Sequence, residues 1–206
     1  KEEEKEPKES DKKYAKAFSI ILFSFSILTL ISLISYTVKD EANSLTPLSE
    51  LFGLLTGEEA VKFKAETTDN WLGLIGAIVS YHLYNSTFGI AILGLPIFLI
   101  IFAKEIWKDY NISEKSLKNF SVYIVLSLLF SSLMAVINTS EIFGMLPKEL
   151  SGNIGFFVSS FLTSVIGHFG SFVLILAVMT TTIILGTNLK IDGIVNKIIT
   201  GSEQIL

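Results

Sequence analysis

Cysteine is absent from the 206 residues, which excludes disulfides, thiol nucleophiles and thiolate-bound zinc. Arginine is absent as well, since all 16 basic residues are lysines. Bidentate guanidinium clamps on phosphate and arginine fingers are therefore excluded. Charge of either sign is scarce: 17% of the chain, against about a quarter in a soluble domain. What charge there is lies in an N-terminal tail and a few loops. The long stretches between them contain no Lys, Asp or Glu, and this is how a chain solvated by lipid reads. No Gly-x-x-x-x-Gly-Lys-Ser/Thr loop occurs, so no nucleotide site can be placed. The net charge of -4 sums both faces of a membrane and identifies no partner.

Half of the residues are hydrophobic and the mean hydropathy is +0.58. The first uncharged run, Ala17 to Val38, has about 22 residues, enough at ~1.5 Å per residue to cross a hydrocarbon core of ~30 Å. It is too long for the apolar core of a cleavable signal, and no small-residue cleavage site follows it. Its hydroxyls (Ser19, Ser24, Ser26, Thr29, Ser32, Ser35) either bond back to the preceding turn or mark a helix-packing face. Trp71 to Ala103 is uncharged over about 33 residues, too long for one span and too short for two. The break is expected near Asn85-Ser86-Thr87, leaving an interfacial or re-entrant helix over 71–84 and a span over 88–107 that Pro96 is expected to kink. A third span is expected over 119–138. The uncharged run Ser151 to Leu189 then divides into a second interfacial helix over 152–167 and a fourth span over 170–189. Residues 1–15 read as a disordered tail. The polar stretch 39–69 reads as an external loop with one short helix near Pro47–Leu55, and 191–206 as the amphipathic start of a linker. The opening Lys1-Glu2-Glu3, without Met, reads as the start of a segment cut from a longer chain.

Lysine placement orients the spans. With four spans, 12 of the 16 lysines fall on one side, in the tail, in the loop 104–118 and at Lys190 and Lys197. By the positive-inside rule both termini are cytoplasmic. Making Trp71–Tyr84 a full span would place the four lysines of 104–118 outside, against that rule.

The two long uncharged runs resemble each other. Gly73 and Gly76 match Gly152 and Gly155 in spacing, and Phe88-Gly89 matches Phe169-Gly170 with two extra residues in the second copy. The expected fold is thus an all-α integral membrane domain of four transmembrane helices. They form two parallel repeats, each a span, an interfacial Gly-x-x-Gly helix and a returning span.

The sequence Asn70-Trp71-x-Gly73-x-x-Gly76-Ala77 comes first. Phe88-Gly89, Leu95-Pro96, Gly152-x-x-Gly155 and Phe169-Gly170 follow in that order. Together they resemble the four-span N-terminal domain of the FtsK/SpoIIIE family of DNA translocases, over roughly residues 16–190. The resemblance implies a multi-pass anchor in the bacterial inner membrane at the division septum. It implies a homo-oligomer, a hexamer by family resemblance, in contact with other cell-division membrane proteins and acting in chromosome segregation. Its structural and assembly motif would be Asn70, Trp71, Gly73, Gly76, Phe88, Gly89, Pro96, Gly152, Gly155, Phe169 and Gly170. ATP, Mg and DNA would be bound only by a motor domain outside this chain, which itself would be no enzyme and hold no cofactor or metal. The loop 39–69 carries no pattern tied to the family.

Other constellations are weaker. His82, beside Tyr81 and Tyr84, reads as an interfacial polar residue, and His168 does not occupy its matching position. Glu58, Glu59, Glu66 and Asp69 lack calcium-loop spacing. Glu105 and Asp109 beside Trp107 and Tyr110 read as an interface anchor. No charge falls inside an expected span, which argues against ion-coupled transport. The lysines of the inner face alternate with acids and form no aromatic-laced stripe for nucleic acid. Two alternatives to the anchor remain. One is a small channel or transporter half lined by Ser24, Ser127, Ser131, Ser132 and Thr180–Thr182, and the other is a partner-binding subunit of an unrelated membrane complex.

Overall fold

A computed structural model describes residues 9–140 and 146–187. Among these residues the regular elements are all helices, and four stretches are long and apolar enough to cross a membrane: Glu9–Ile34, Gly89–Asp109, Glu114–Thr139 and Gly152–Gly186.

The first helix, α1, runs Glu9–Ile34. Residues 9–15, expected within a disordered tail, are therefore helical. Glu, Lys and Ala are good helix formers, and a helix nucleated by the apolar run extends outward at little cost per residue. Glu9 and Asp11 in the first turn also complement the helix dipole. The covered face of α1 is small and polar: Ser19, Ser26, Thr29 and Ser32 are buried, while Phe18, Ile20, Ile21, Phe25 and Leu28 are exposed. In water that arrangement would be inside out. In lipid it is favourable, because tails solvate the large side chains while small residues let helix backbones approach. The hydroxyls remain satisfied by bonding backward, Ser26 to the Leu22 carbonyl at 2.5 Å and Thr29 to Phe25 at 2.9 Å. The two readings of these hydroxyls thus describe the same side chains.

The segment after α1 is folded. A 3-10 turn Val38–Asp40 leads into α2 (Glu41–Ser44), and a second turn, Leu48–Leu51, into α3 (Phe52–Thr56) and α4 (Glu59–Glu66). Gly57, at φ 82°, ends α3 in the left-handed conformation. Val61 joins Leu74 and Ile78 in a buried cluster backed by Leu51, Leu54 and Ala65. Asp40 is buried and its Oδ1 accepts the Asp69 N–H at 2.8 Å; Asn43 Nδ2 donates to the Lys64 carbonyl at 3.2 Å. The expected loop is therefore a small helical cap. Helices of four to eight residues are too short to persist alone and form here because α5 supplies the apolar surface beneath them.

That helix, α5, spans Gly73–Ser86, and α6 spans Gly94–Asp109 behind a 3-10 turn over Gly89–Leu93. Pro96 is buried two residues into α6, and its missing N–H falls just past the junction where the 3-10 segment passes into the α-helix. Tyr110, at φ 57°, ends α6 and its N–H bonds the Ile106 carbonyl at 3.1 Å. Ser113 then caps α7 (Glu114–Thr139) by accepting the Ser116 N–H at 3.2 Å, and the Glu105 carboxylate braces the turn by accepting from Ser113 and Ser116.

The last helix, α8 (Gly152–Thr187), is broken at Gly167, whose φ 73° and ψ 171° are not helical. Its two parts cover 152–166 and 168–187. The chain packs as two antiparallel hairpins, α1 on α6 and α7 on α8. Lys16 lies over Trp107 at one end of the first while Leu33 and Ile92 share a cluster at the other. Phe98, Phe102, Phe120 and Tyr123 join the hairpins, with ring centroids 4.9 to 6.3 Å apart. The expected amphipathic helix over 191–206 lies outside the described residues.

Candidate functional site

The expected motif residues fall into two neighbouring clusters, with four members, Trp71, Pro96, Phe169 and Gly170, outside both. The first cluster centres on Asn70, 4% exposed. Its amide donates to the Ser32 carbonyl at 2.9 Å and its Oδ1 accepts the Leu72 N–H at 3.0 Å. Ser32 returns the contact by donating to the Gly76 carbonyl at 2.7 Å, and Ser80 donates to the same oxygen at 2.8 Å. Gly76 has no room for a side chain, because an added Cβ would overlap the Asn70 amide and come within 2.6 Å of Leu72 Cβ. The start of α5 is thereby fastened side-on to the Ile34 end of α1. Gly73 serves a different purpose. It has φ 62°, but nothing lies within 4 Å of where a methyl would stand, so its backbone conformation and not space requires glycine.

The second cluster is a backbone junction between the two halves of the chain. Gly89 (φ 63°) presses on the Glu149 and Leu150 carbonyls, and Gly152 (φ 60°) presses on Gly89 N and on the Thr87 and Tyr84 carbonyls. The Ile154 N–H donates to the Thr87 carbonyl at 3.2 Å. Gly155 lies against the Ser131 backbone, and the Ser131 hydroxyl donates to the Ser151 carbonyl. Phe88 packs on the cluster of Leu33, Tyr84 and Ile92. Above it Tyr84 Oη donates to the Leu33 carbonyl at 3.0 Å, and Tyr36 Oη donates to Glu149 Oε1 at 3.0 Å. Burial first, and then the adjacent Glu149 carboxylate, raise the Tyr36 phenol above its ordinary value of 10.0.

Trp71, Phe169 and Gly170 stand apart from both clusters. Trp71 is 75% exposed and contributes only its N–H, to Ser35 Oγ at 3.2 Å. Phe169 is 82% exposed, and Gly170 is an ordinary helical residue beside Ile166. The glycine of positive φ in this part of α8 is Gly167, three residues before Gly170.

Ser32, Ser80, Tyr36, Tyr84, Glu149 and Ser131 take part in these clusters but lie outside the sequence motif. For Ser32 and Ser131 the signal along the chain is the density of hydroxyls in α1 and α7; the other four carry none. The polar set considered for a conduction path is divided: Ser24 lies exposed on α1, Ser127, Ser131 and Ser132 are enclosed on α7, and Thr180 and Thr181 are exposed on α8. Thr180, Thr181 and Thr182 bond back to their own helix. His82 and His168 are both exposed. Among the described residues no group of three His, Asp or Glu could hold a metal.

This geometry is a scaffold of close-packed membrane helices, and one family matches it in sequence. The family described as the 4TM region of DNA translocase FtsK/SpoIIIE matches residues 11–199. The chain belongs to this family. No curated protein and no solved structure matches the chain. The 4TM domain is a membrane domain of these translocases and not their motor. Its four apolar helices make it a multi-pass membrane protein, and the second glycine cluster lies where its two halves meet.

Proposed function

We propose that the domain anchors a septal DNA translocase in the bacterial inner membrane and assists its oligomerisation, both ends facing the cytoplasm, in chromosome segregation and cell division. The observation that carries this reading is the family match over 11–199. The structure supplies a compatible physical basis. α8 keeps Phe157, Phe161, Val165 and Phe169 on its open surface, available to lipid, to further copies of the chain or to other division proteins. The chain itself is read as an anchor and not an enzyme. ATP, Mg and DNA are assigned to the motor domain of the full-length protein, which assembles as a hexamer. Crosslinking of the full-length translocase in membranes tests the assembly role: ladders through the 4TM domain up to six subunits are expected. Strictly monomeric behaviour, both of the domain alone and of the domain joined to its motor, would refute it. Fluorescent tagging tests the septal location, and uniform distribution around dividing cells would overturn that part.

A further inference from the structure

Between α1 and α6, at the lysine-bearing end of the first hairpin, lies a cavity of about 370 Å³ walled by Ile20 and Phe23 on one side and Ile100, Ala103 and Trp107 on the other. That volume falls within the ~300–1,000 Å³ of ordinary ligand clefts. The walls are almost wholly apolar, and Lys104 stands at the mouth. Lys16 Nζ lies 5.5 Å from the Trp107 ring centroid and 5.9 Å from that of Tyr110, and Lys12 Nζ lies 5.9 Å from Tyr110. Helical spacing puts Lys12, Lys16, Ile20 and Phe23 on one face of α1, and Ile100, Lys104 and Trp107 on one face of α6. Among the described residues neither Lys16 nor Lys104 has a carboxylate within ion-pair distance. The nearest acid in sequence to Lys104, Glu105, is held by Ser113 and Ser116. Glu9 shares the Lys12 face one turn further out.

We propose that this groove binds an anionic phospholipid, with part of an acyl chain between Phe23 and Ile100 and the phosphate between Lys16 and Lys104. Charge complementarity selects the occupant. Two unneutralised ammonium groups stand above an apolar slot at the level where Trp107 and Tyr110 form an interfacial belt, which is the arrangement that recognises anionic headgroups between helices. A choline headgroup is disfavoured, because the faces of Trp107 and Tyr110 that would receive its quaternary ammonium are already covered by lysines. The inference rests on the membrane location alone and stands whether or not the septal role holds.

Trp107 is also the reporter. The chain has two tryptophans, and Trp71 bonds Ser35 at the opposite end of α1. The full chain carrying Trp71→Phe is placed in nanodiscs containing either acyl-brominated phosphatidylglycerol or acyl-brominated phosphatidylcholine at equal mole fraction. Trp107 should be quenched more strongly by the anionic lipid. Each lysine removed in Lys16→Gln and Lys104→Gln should reduce the relative affinity ~5-fold. Lys16→Arg with Lys104→Arg should keep the preference, which separates lost charge from lost fold. Equal quenching by the two lipids, a preference that survives the double glutamine variant, or its abolition by free inorganic phosphate would each overturn the proposal.

Discussion

Among the described residues five glycines have positive φ: Gly57, Gly73, Gly89, Gly152 and Gly167. The physical demands at two of them separate cleanly. At Gly152 an alanine would meet both a left-handed backbone, at about 1–2 kcal/mol, and overlap with Gly89 N at 2.5 Å and the Tyr84 carbonyl at 2.8 Å. Overpacking of that kind costs about 1–3 kcal/mol, and rigid main chain cannot yield as a flexible side chain would. Gly152→Ala should therefore destabilise by roughly 2–5 kcal/mol. At Gly73 the φ is nearly the same, 62° against 60°, but no atom lies within 4 Å of the new methyl. Gly73→Ala should cost only the conformational part, about 1–2 kcal/mol. Gly155→Ala supplies the remaining corner, because its backbone is helical and only the overlap with Ser131 applies; it should cost about 1–3 kcal/mol. Reversible unfolding in mixed micelles of rising SDS fraction, followed by circular dichroism, measures all three. A loss at Gly73 equal to or larger than that at Gly152 would refute the claim that close approach of the two halves, rather than backbone conformation alone, holds the junction.

Two further outcomes follow from the same clusters. Asn70→Ala leaves the Ser32 carbonyl and the Leu72 N–H without their partner and should destabilise by about 1–3 kcal/mol in the same assay, with no compensating gain from the small cavity. Tyr36 gives a pH dependence whose sign is set by its raised phenol: the neutral form is favoured in the folded protein, so its contribution is complete below the ordinary value of 10.0 and is lost as pH rises above it. Stability measured from pH 8 toward alkali should fall beyond about 10, and Tyr36→Phe should flatten that fall. An unchanged slope in the variant would remove Tyr36 as its source.

Whether a segment can cross a membrane is decided by its own length and apolarity against a bilayer of fixed thickness. This is a local property, so the four spanning helices and the family resemblance carried by Asn70, the glycine pairs and Phe88-Gly89 could be read along the chain. Lysine placement gives an expected orientation of those spans without any contact being known. Other features depend on partners distant in sequence. Val61 and Ala65 give too short an apolar face to specify a helix, and the cap over 38–69 forms because Leu74 and Ile78 lie beneath it. Asn70 reaches Ser32 across 38 residues, and Tyr36 reaches Glu149 across 113. Glycine identity alone cannot say which positions need freedom of φ and which need absence of volume. Gly167 and Gly170 look alike in sequence, yet only Gly167 breaks the helix, with a positive φ. Lipid acts on each segment separately and so is legible in composition, whereas backbone-to-backbone approach is a property of pairs and exists only once the two hairpins have met.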